Sequence, residues 1–180
     1  MNQIQQSSLA QMPKETLAAI LRAVGEGLEG DVAAGRLRSL GAASAASLVA
    51  ALGERLTEQD LSQVPAERFW SEFGLFLEEM GWGTVQQESL HPGVLSVEST
   101  DWFEAVGARN DHPCCHFTTG VFAELLRIVS DADIAAMEVE CLSCGDAHCR
   151  FLVGSPVALD ELYEGLADGV TVSDAVAALH

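Results

Sequence analysis

The sequence predicts an α+β fold whose sheet is mainly antiparallel. Two observations carry this. Apolar residues recur at spacings of three and four through the first part of the chain and again in the closing part, the periodicity of amphipathic helices. Between these parts lie short strand-like runs joined by turns too brief for a parallel crossover, so neighbouring strands must run antiparallel. The order is helices, a hairpin, a helix, a second hairpin and closing helices.

Residues 1–13 are expected to be a flexible N-terminus and residues 14–180 a single ligand-binding domain. Pro13 opens the first helix, with Leu17, Ile20, Leu21, Val24 and Leu28 at helical spacing, and Gly25, Gly27 and Gly30 weaken its end. Leu37, Leu40, Ala43, Ser44, Ser47, Leu48, Ala51 and Leu52 mark a second helix with small residues on one side, suited to close packing. A polar connection over 57–67 leads to a third helix from Pro65 or Ala66 to about Met80, whose stripe is Phe69, Trp70, Phe73, Phe76, Leu77 and Met80.

After Gly81-Trp82-Gly83 come strand-like runs over 84–90 and 94–99, split by His91-Pro92-Gly93, a hairpin with one wet face. Residues 100–105 suit a short helix capped by Thr100 or Asp101, and 107–113 a polar loop. A helix from about Cys115 to Val129 presents Phe117, Val121, Leu125 and Ile128 on one face, and Gly120 permits close approach of a neighbour. Two strands flank the segment around Gly145-Asp146, which has the chemistry of a tight reversal. Pro156 opens a helix that Gly169 stops, and Thr171 or Ser173 caps the last one.

Composition narrows the function classes. The 27 acidic against 9 basic residues give a formal charge of −18. Such a surface repels phosphate backbones and anionic lipid, so neither nucleic acid nor membrane is expected as a partner. No run of apolar residues reaches membrane-spanning length. The polar start lacks the basic and apolar regions of a secretion signal, so a cytoplasmic location with reduced thiols is expected.

The chemistry concentrates at 138–151, where Cys141, Cys144 and Cys149 occupy a polar turn with Glu138 and Glu140 before it. Thiolates on a turn between two strands are well placed to fix a soft metal. Cys114, Cys115 and His148 complete the set of donors, and spacing does not choose among them. Zinc and an iron–sulfur cluster both suit such a set; the competing account is that small buried thiols fill the core. Cys115 in a first helical turn would have its pKa lowered by the positive helix end. His116 beside it makes no nucleophilic pair, because adjacent helical residues face apart, and no catalytic set emerges. In a regular strand Glu138 and Glu140 share one face and Cys141 takes the other, so Glu138 can join Cys141 only if the strand end twists or bulges.

The spacing Glu138-x-x-Cys141-x-x-x-Gly145-x-x-x-Cys149, followed by Phe151, resembles the signature of 4-vinyl-reductase-type, hydrocarbon-binding domains. Gly81-Trp82-Gly83 and Pro113-Cys114-Cys115 with Gly120 resemble the family's upstream segments. The resemblance covers about 70–154, and more weakly from about 36. Members also form the sensory modules of phenol- and xylene-responsive activators. The resemblance implies a helical layer on a twisted antiparallel sheet, as in subunits of vesicle-tethering complexes, and frequent homodimers. It implies zinc on Cys115, Glu138, Cys141 and Cys149. Cys144 and Cys114 depart from the pattern as additional thiols, and either is an alternate to Glu138.

The resulting expectation is a sensory or ligand-binding domain with a structural zinc site, taking a small apolar or aromatic ligand and acting through a protein signalling partner or dimerisation. Size and apolarity nominate Phe73, Phe76, Trp82, Phe117 and Phe122 as pocket walls. The alternatives are an iron–sulfur or thiol redox-switch protein, and an accessory or reductase in tetrapyrrole vinyl-group metabolism. No nucleotide-binding glycine loop supports an independent reductase.

Overall fold

Pro13, with its fixed φ, opens helix α1 (Lys14–Gly25), and Gly27 at φ +76° turns the chain into α2 (Gly30–Leu56). The structure, a computed structural model, describes residues 12–179. Most of the segment expected to be flexible, 1–13, lies outside the described residues. Gly30, read from the sequence as weakening the first helix, instead begins the second, which runs for 27 residues. A 3-10 turn (Leu61–Gln63) interrupts the polar connection before α3 (Ala66–Glu79).

Strands β1 (Gln86–His91) and β2 (Val94–Ser99) form the first hairpin, and a 3-10 turn (Phe103–Ala105) follows. Asp101 does not cap that turn. Its carboxylate accepts from the Thr84 backbone N–H and hydroxyl, each at 2.9 Å, and so ties the turn to the start of the hairpin. Then come α4 (His116–Ser130), β3 (Ala135–Glu140), β4 (Cys149–Gly154), α5 (Pro156–Ala167) and α6 (Val172–Ala177). Thr171 caps α6 by accepting from the Asp174 N–H.

The four strands form one antiparallel sheet in the order β1-β2-β4-β3. One face, through Val97, Phe151 and Val153, joins a large core with α2, α3 and α4. The other face, through Val94 and Leu152, joins a smaller core with Leu159 and Leu162 of α5 and Ala175 and Val176 of α6. Helices thus cover both faces, with the larger layer on the α4 side. Within that layer α2 and α4 touch backbone to backbone. A Cβ at Gly41 would collide with the Phe117 carbonyl, and one at Gly120 with that of Arg38. The close approach expected at Gly120 is therefore made to α2. Among the described residues no helix is long and apolar enough to cross a membrane.

Candidate metal centre

The site depends on an irregularity in β3. Glu138 pairs with Phe151 and Glu140 with Arg150, so two steps along β3 match a single step along β4, and Val139 is the extra residue of a bulge. Met137 and Val139 pack in the small core with α5 and α6. Glu138 therefore faces α4. Arg150 lies between Cys149 and Phe151, both in the large core, and so faces outward. Glu140, opposite Arg150, faces outward with it. Cys141 then returns to the α4 side, where it is fully buried. Two successive outward residues bring Glu138 and Cys141 to one face, which a regular strand forbids.

Cys149, first residue of β4, faces the same way, and Cys115 enters from the N-cap of α4. One donor atom from each of Cys115, Glu138, Cys141 and Cys149 lies within 4.8 Å of the others. The Cys141 Sγ is 3.9 Å from that of Cys115 and 4.0 Å from that of Cys149. A tetrahedron with zinc–sulfur bonds near 2.3 Å has edges of about 3.8 Å. The carboxylate supports the same conclusion. Glu138 Oε2 accepts from the Cys115 N–H at 2.7 Å, while Oε1 is buried without a hydrogen-bond partner. A buried orphan oxygen is costly unless something polar meets it. These residues can hold a metal ion.

Charge within the cluster is poorly shared among the donors alone. Hydrogen bonding from the Cys114, Cys115 and Cys149 thiols holds the Cys141 thiol far below the ordinary value. Burial, and then the neighbouring thiols, push Cys115 well up. The lowering expected from the helix end does not prevail there. Cys149 is pulled down by Cys115 but pushed up more by Cys141 and burial. Burial and the Cys141 charge raise Glu138 to about 8. One thiolate is thus stabilised at the expense of its neighbours, and a divalent cation would let the remaining donors ionise together.

Several supporting residues carry no sequence motif. Glu104, 7% exposed, accepts from the Phe117 N–H at 2.8 Å, the Thr118 N–H at 2.9 Å and the Thr118 hydroxyl at 2.7 Å. It closes the N-terminus of α4 and so fixes where Cys115 stands. Burial raises its pKa to about 7 against those hydrogen bonds. Its only signal in the sequence is an acid set among Trp102, Phe103, Ala105 and Val106. Asp146 accepts from the Cys141 N–H at 2.8 Å. The expected tight reversal is a longer loop, with a 3-10 turn (Leu142–Cys144) and Gly145 at φ +98°. The Ser143 hydroxyl lies 3.0 Å from the Cys141 Sγ and 3.3 Å from that of Cys114.

The remaining candidates fall elsewhere. Cys114 stands beside the cluster, with its Sγ accepting from Asn110 Nδ2 at 3.0 Å, and Cys144 is half-buried on the loop; neither belongs to the four-donor group. His148 and Glu140 meet on the outer face, with Nε2 2.8 Å from Oε2. Phe73, Phe76, Trp82, Phe117 and Phe122 all lie in the large core. There they pack on one another and on Trp102, Phe103 and Phe151, with ring centroids 4.9 Å apart for Trp82–Phe103 and 5.3 Å for Phe122–Phe151. The two largest clefts have other walls. One lies along β3, α4 and α5–α6, and the other between α3, the β1–β2 turn and the end of α4.

The family model of the vinyl-4-reductase domain matches residues 95–155, a span that contains all four donors. No curated protein matches the chain. Among solved structures, the phenol-responsive sensory domain of the transcription activator PoxR, determined with phenol, aligns with a TM-score of 0.61 and 20% identity over 89% of this chain and 81% of that one. A vinyl-4-reductase family protein from Methanocaldococcus jannaschii aligns with a TM-score of 0.53 and 17% identity, over 81% of this chain and 83% of that one. Subunit 3 of a trafficking protein particle complex from Naegleria fowleri, covalently bound to palmitic acid, gives a TM-score of 0.63 and 10% identity over 78% and 93%. The family resemblance and the fold expected from it both hold.

Proposed function

We propose that this chain, with its vinyl-4-reductase-type domain, is a ligand-sensing module, residues 14–180 forming one domain, with a structural zinc ion on Cys115, Glu138, Cys141 and Cys149. The observation that carries the metal reading is the convergence of four donor atoms within 4.8 Å from three separate parts of the chain. Three sulfurs and one carboxylate oxygen leave no open coordination position, so the ion stabilises the fold and takes no substrate. It would link β3, β4 and the start of α4.

The sensed molecule is a small apolar or aromatic compound. The aromatic core of Phe73, Phe76, Trp82, Phe117 and Phe122 is its seat, between α3, α4 and the sheet. The shared fold with a phenol-responsive domain supports this reading, as does a core built from stacked and edge-on rings. Occupancy would shift the packing of α4 on α2, and a homodimer or a protein partner would read that change in the cytoplasm.

Elemental analysis of freshly purified protein, taken with its visible spectrum, tests the metal. About one zinc per chain without colour is the expected result. Iron with a broad visible band would replace zinc with an iron–sulfur cluster, and no metal would reduce the cysteines to core packing. Titration with phenol, followed by the fluorescence of Trp82 and Trp102, tests the ligand. A saturable change is expected; its absence for phenol and for toluene would remove the aromatic-sensor reading.

A further inference from the structure

The chain is acidic almost throughout, yet the cleft along β3 is not. This cleft, of about 910 Å³, is lined by Arg38, His112, His116 and Arg150, with only Glu138 and Glu140 as acids. Both acids are already engaged. Glu140 lies 2.8 Å from His148 and 3.1 Å from Arg150. Glu138 binds the Cys115 N–H and belongs to the four-donor group. Arg150 is held by Glu98 at 2.8 Å.

Arg38 is different. It is exposed, and no hydrogen bond or ion pair joins it to another described residue. The glycine-enabled crossing of α2 and α4 holds its backbone against Gly120, one helical turn beyond His116. In a chain with nine Lys and Arg against 27 Asp and Glu, a guanidinium left without a carboxylate while two histidines flank the same wall is an uncompensated cation by placement.

The opposite wall is apolar. Val139, Leu166 and Val170 line it, and Tyr163 stands at its mouth with 66% of its surface exposed. Val170 is 40% exposed. A planar guanidinium on one side and an aliphatic and aromatic wall on the other select a molecule with both an anionic end and an apolar body.

We propose that this cleft is a second binding site, for a small organic monocarboxylate with an aromatic or short aliphatic body. Arg38 takes the carboxylate as a two-pronged partner, and His112 and His116 offer N–H donors beside it. The body lies against Val139, Leu166 and Val170. This site is separate from the aromatic core and from the donor cluster, and it stands whether or not the core takes phenol.

The test is a ¹H–¹⁵N NMR titration of the full chain, as purified with its metal, using benzoate and its neutral counterpart benzamide. Benzoate is expected to shift resonances of Arg38, His116 and Val170 saturably, more weakly at high salt, and benzamide to leave them in place. Arg38→Gln should weaken benzoate by about tenfold or more, the loss of a charge-assisted bidentate contact. Val170→Asp changes an exposed residue and places a negative charge at the apolar end; it should weaken benzoate while the rest of the spectrum stays as it was. Equal shifts with benzamide, shifts confined to other parts of the molecule, or unchanged benzoate binding in both folded variants would overturn the proposal.

Discussion

Glu138 and Glu140 are two residues apart in one strand and have opposite fates. Glu138 faces a buried group of thiols, has an orphaned oxygen, and carries a pKa raised to about 8. Glu140 faces the outer side of the sheet among His148, Arg150 and Glu98, in a partly exposed network of ion pairs. The same chemistry on the two faces therefore does different work. On the inner face a carboxylate without water is unstable until a cation arrives. On the outer face solvent screens the charges, and the network adds little to stability. The single bulged residue, Val139, separates the two.

Breaking the inner face should have the largest effect. Cys149→Ser removes a donor from the cluster; metal content should fall to a small fraction of wild type and Tm by roughly 10 °C. Plasma emission spectrometry with calorimetry reads both, and unchanged values would remove Cys149 from the site.

The next effect is seen only in metal-free protein. Glu138 and Glu104 have folded pKa values raised to about 8 and about 7, above the unfolded carboxyl value near 4.3. The folded state then binds more protons than the unfolded state between those values. Its stability is full below pH ~4.3 and is lost as pH rises toward about 8. Chelated protein should show Tm falling over that window, and Glu138→Gln should flatten the part near pH 8. With metal bound, Glu138 is ionised and compensated, and its share of the slope should vanish. A chelated protein whose Tm rises through pH 5–8 would contradict the assignment.

Deleting Val139 tests the bulge itself. The remaining Glu138, Glu140 and Cys141 would alternate in, out and in, so both donors keep their face. Metal should be retained, with a loss of about 1 kcal/mol from the missing apolar contact. Loss of the metal would mean that the bulge also sets the distance between donors.

The smallest effect belongs to the outer face. Arg150→Met should cost about 1 kcal/mol or less, diminish further in salt, and leave metal content unchanged. Denaturant melts at low and high salt measure it.

Much of this was legible in the sequence because it is local. The helical stripes, the His91-Pro92-Gly93 turn, Pro156 and Thr171 act on their immediate neighbours, and the elements formed where they indicate. The signature around Cys141 and Cys149 is local too, since β4 follows the cysteine loop directly. Boundaries were less legible. Gly30 reads as a helix breaker but sits at the first position of α2, where a glycine costs little.

What tertiary structure alone decided is which distant groups meet. Pattern and spacing established the α+β class, the antiparallel pairing and the presence of more donors than a site needs. They left the choice among Cys114, Cys115, Glu138, Cys141, Cys144 and Cys149 open. That choice depends on the face each side chain takes, and one extra residue in a strand reverses every face beyond it. Whether a strand bulges is settled by the packing of Met137 and Val139 on α5 and α6, well beyond any window of sequence. Glu104 is a similar case. Its carboxylate is tolerable in the core only because the open N–H groups of α4 stand against it, a meeting of two elements that neither encodes by itself.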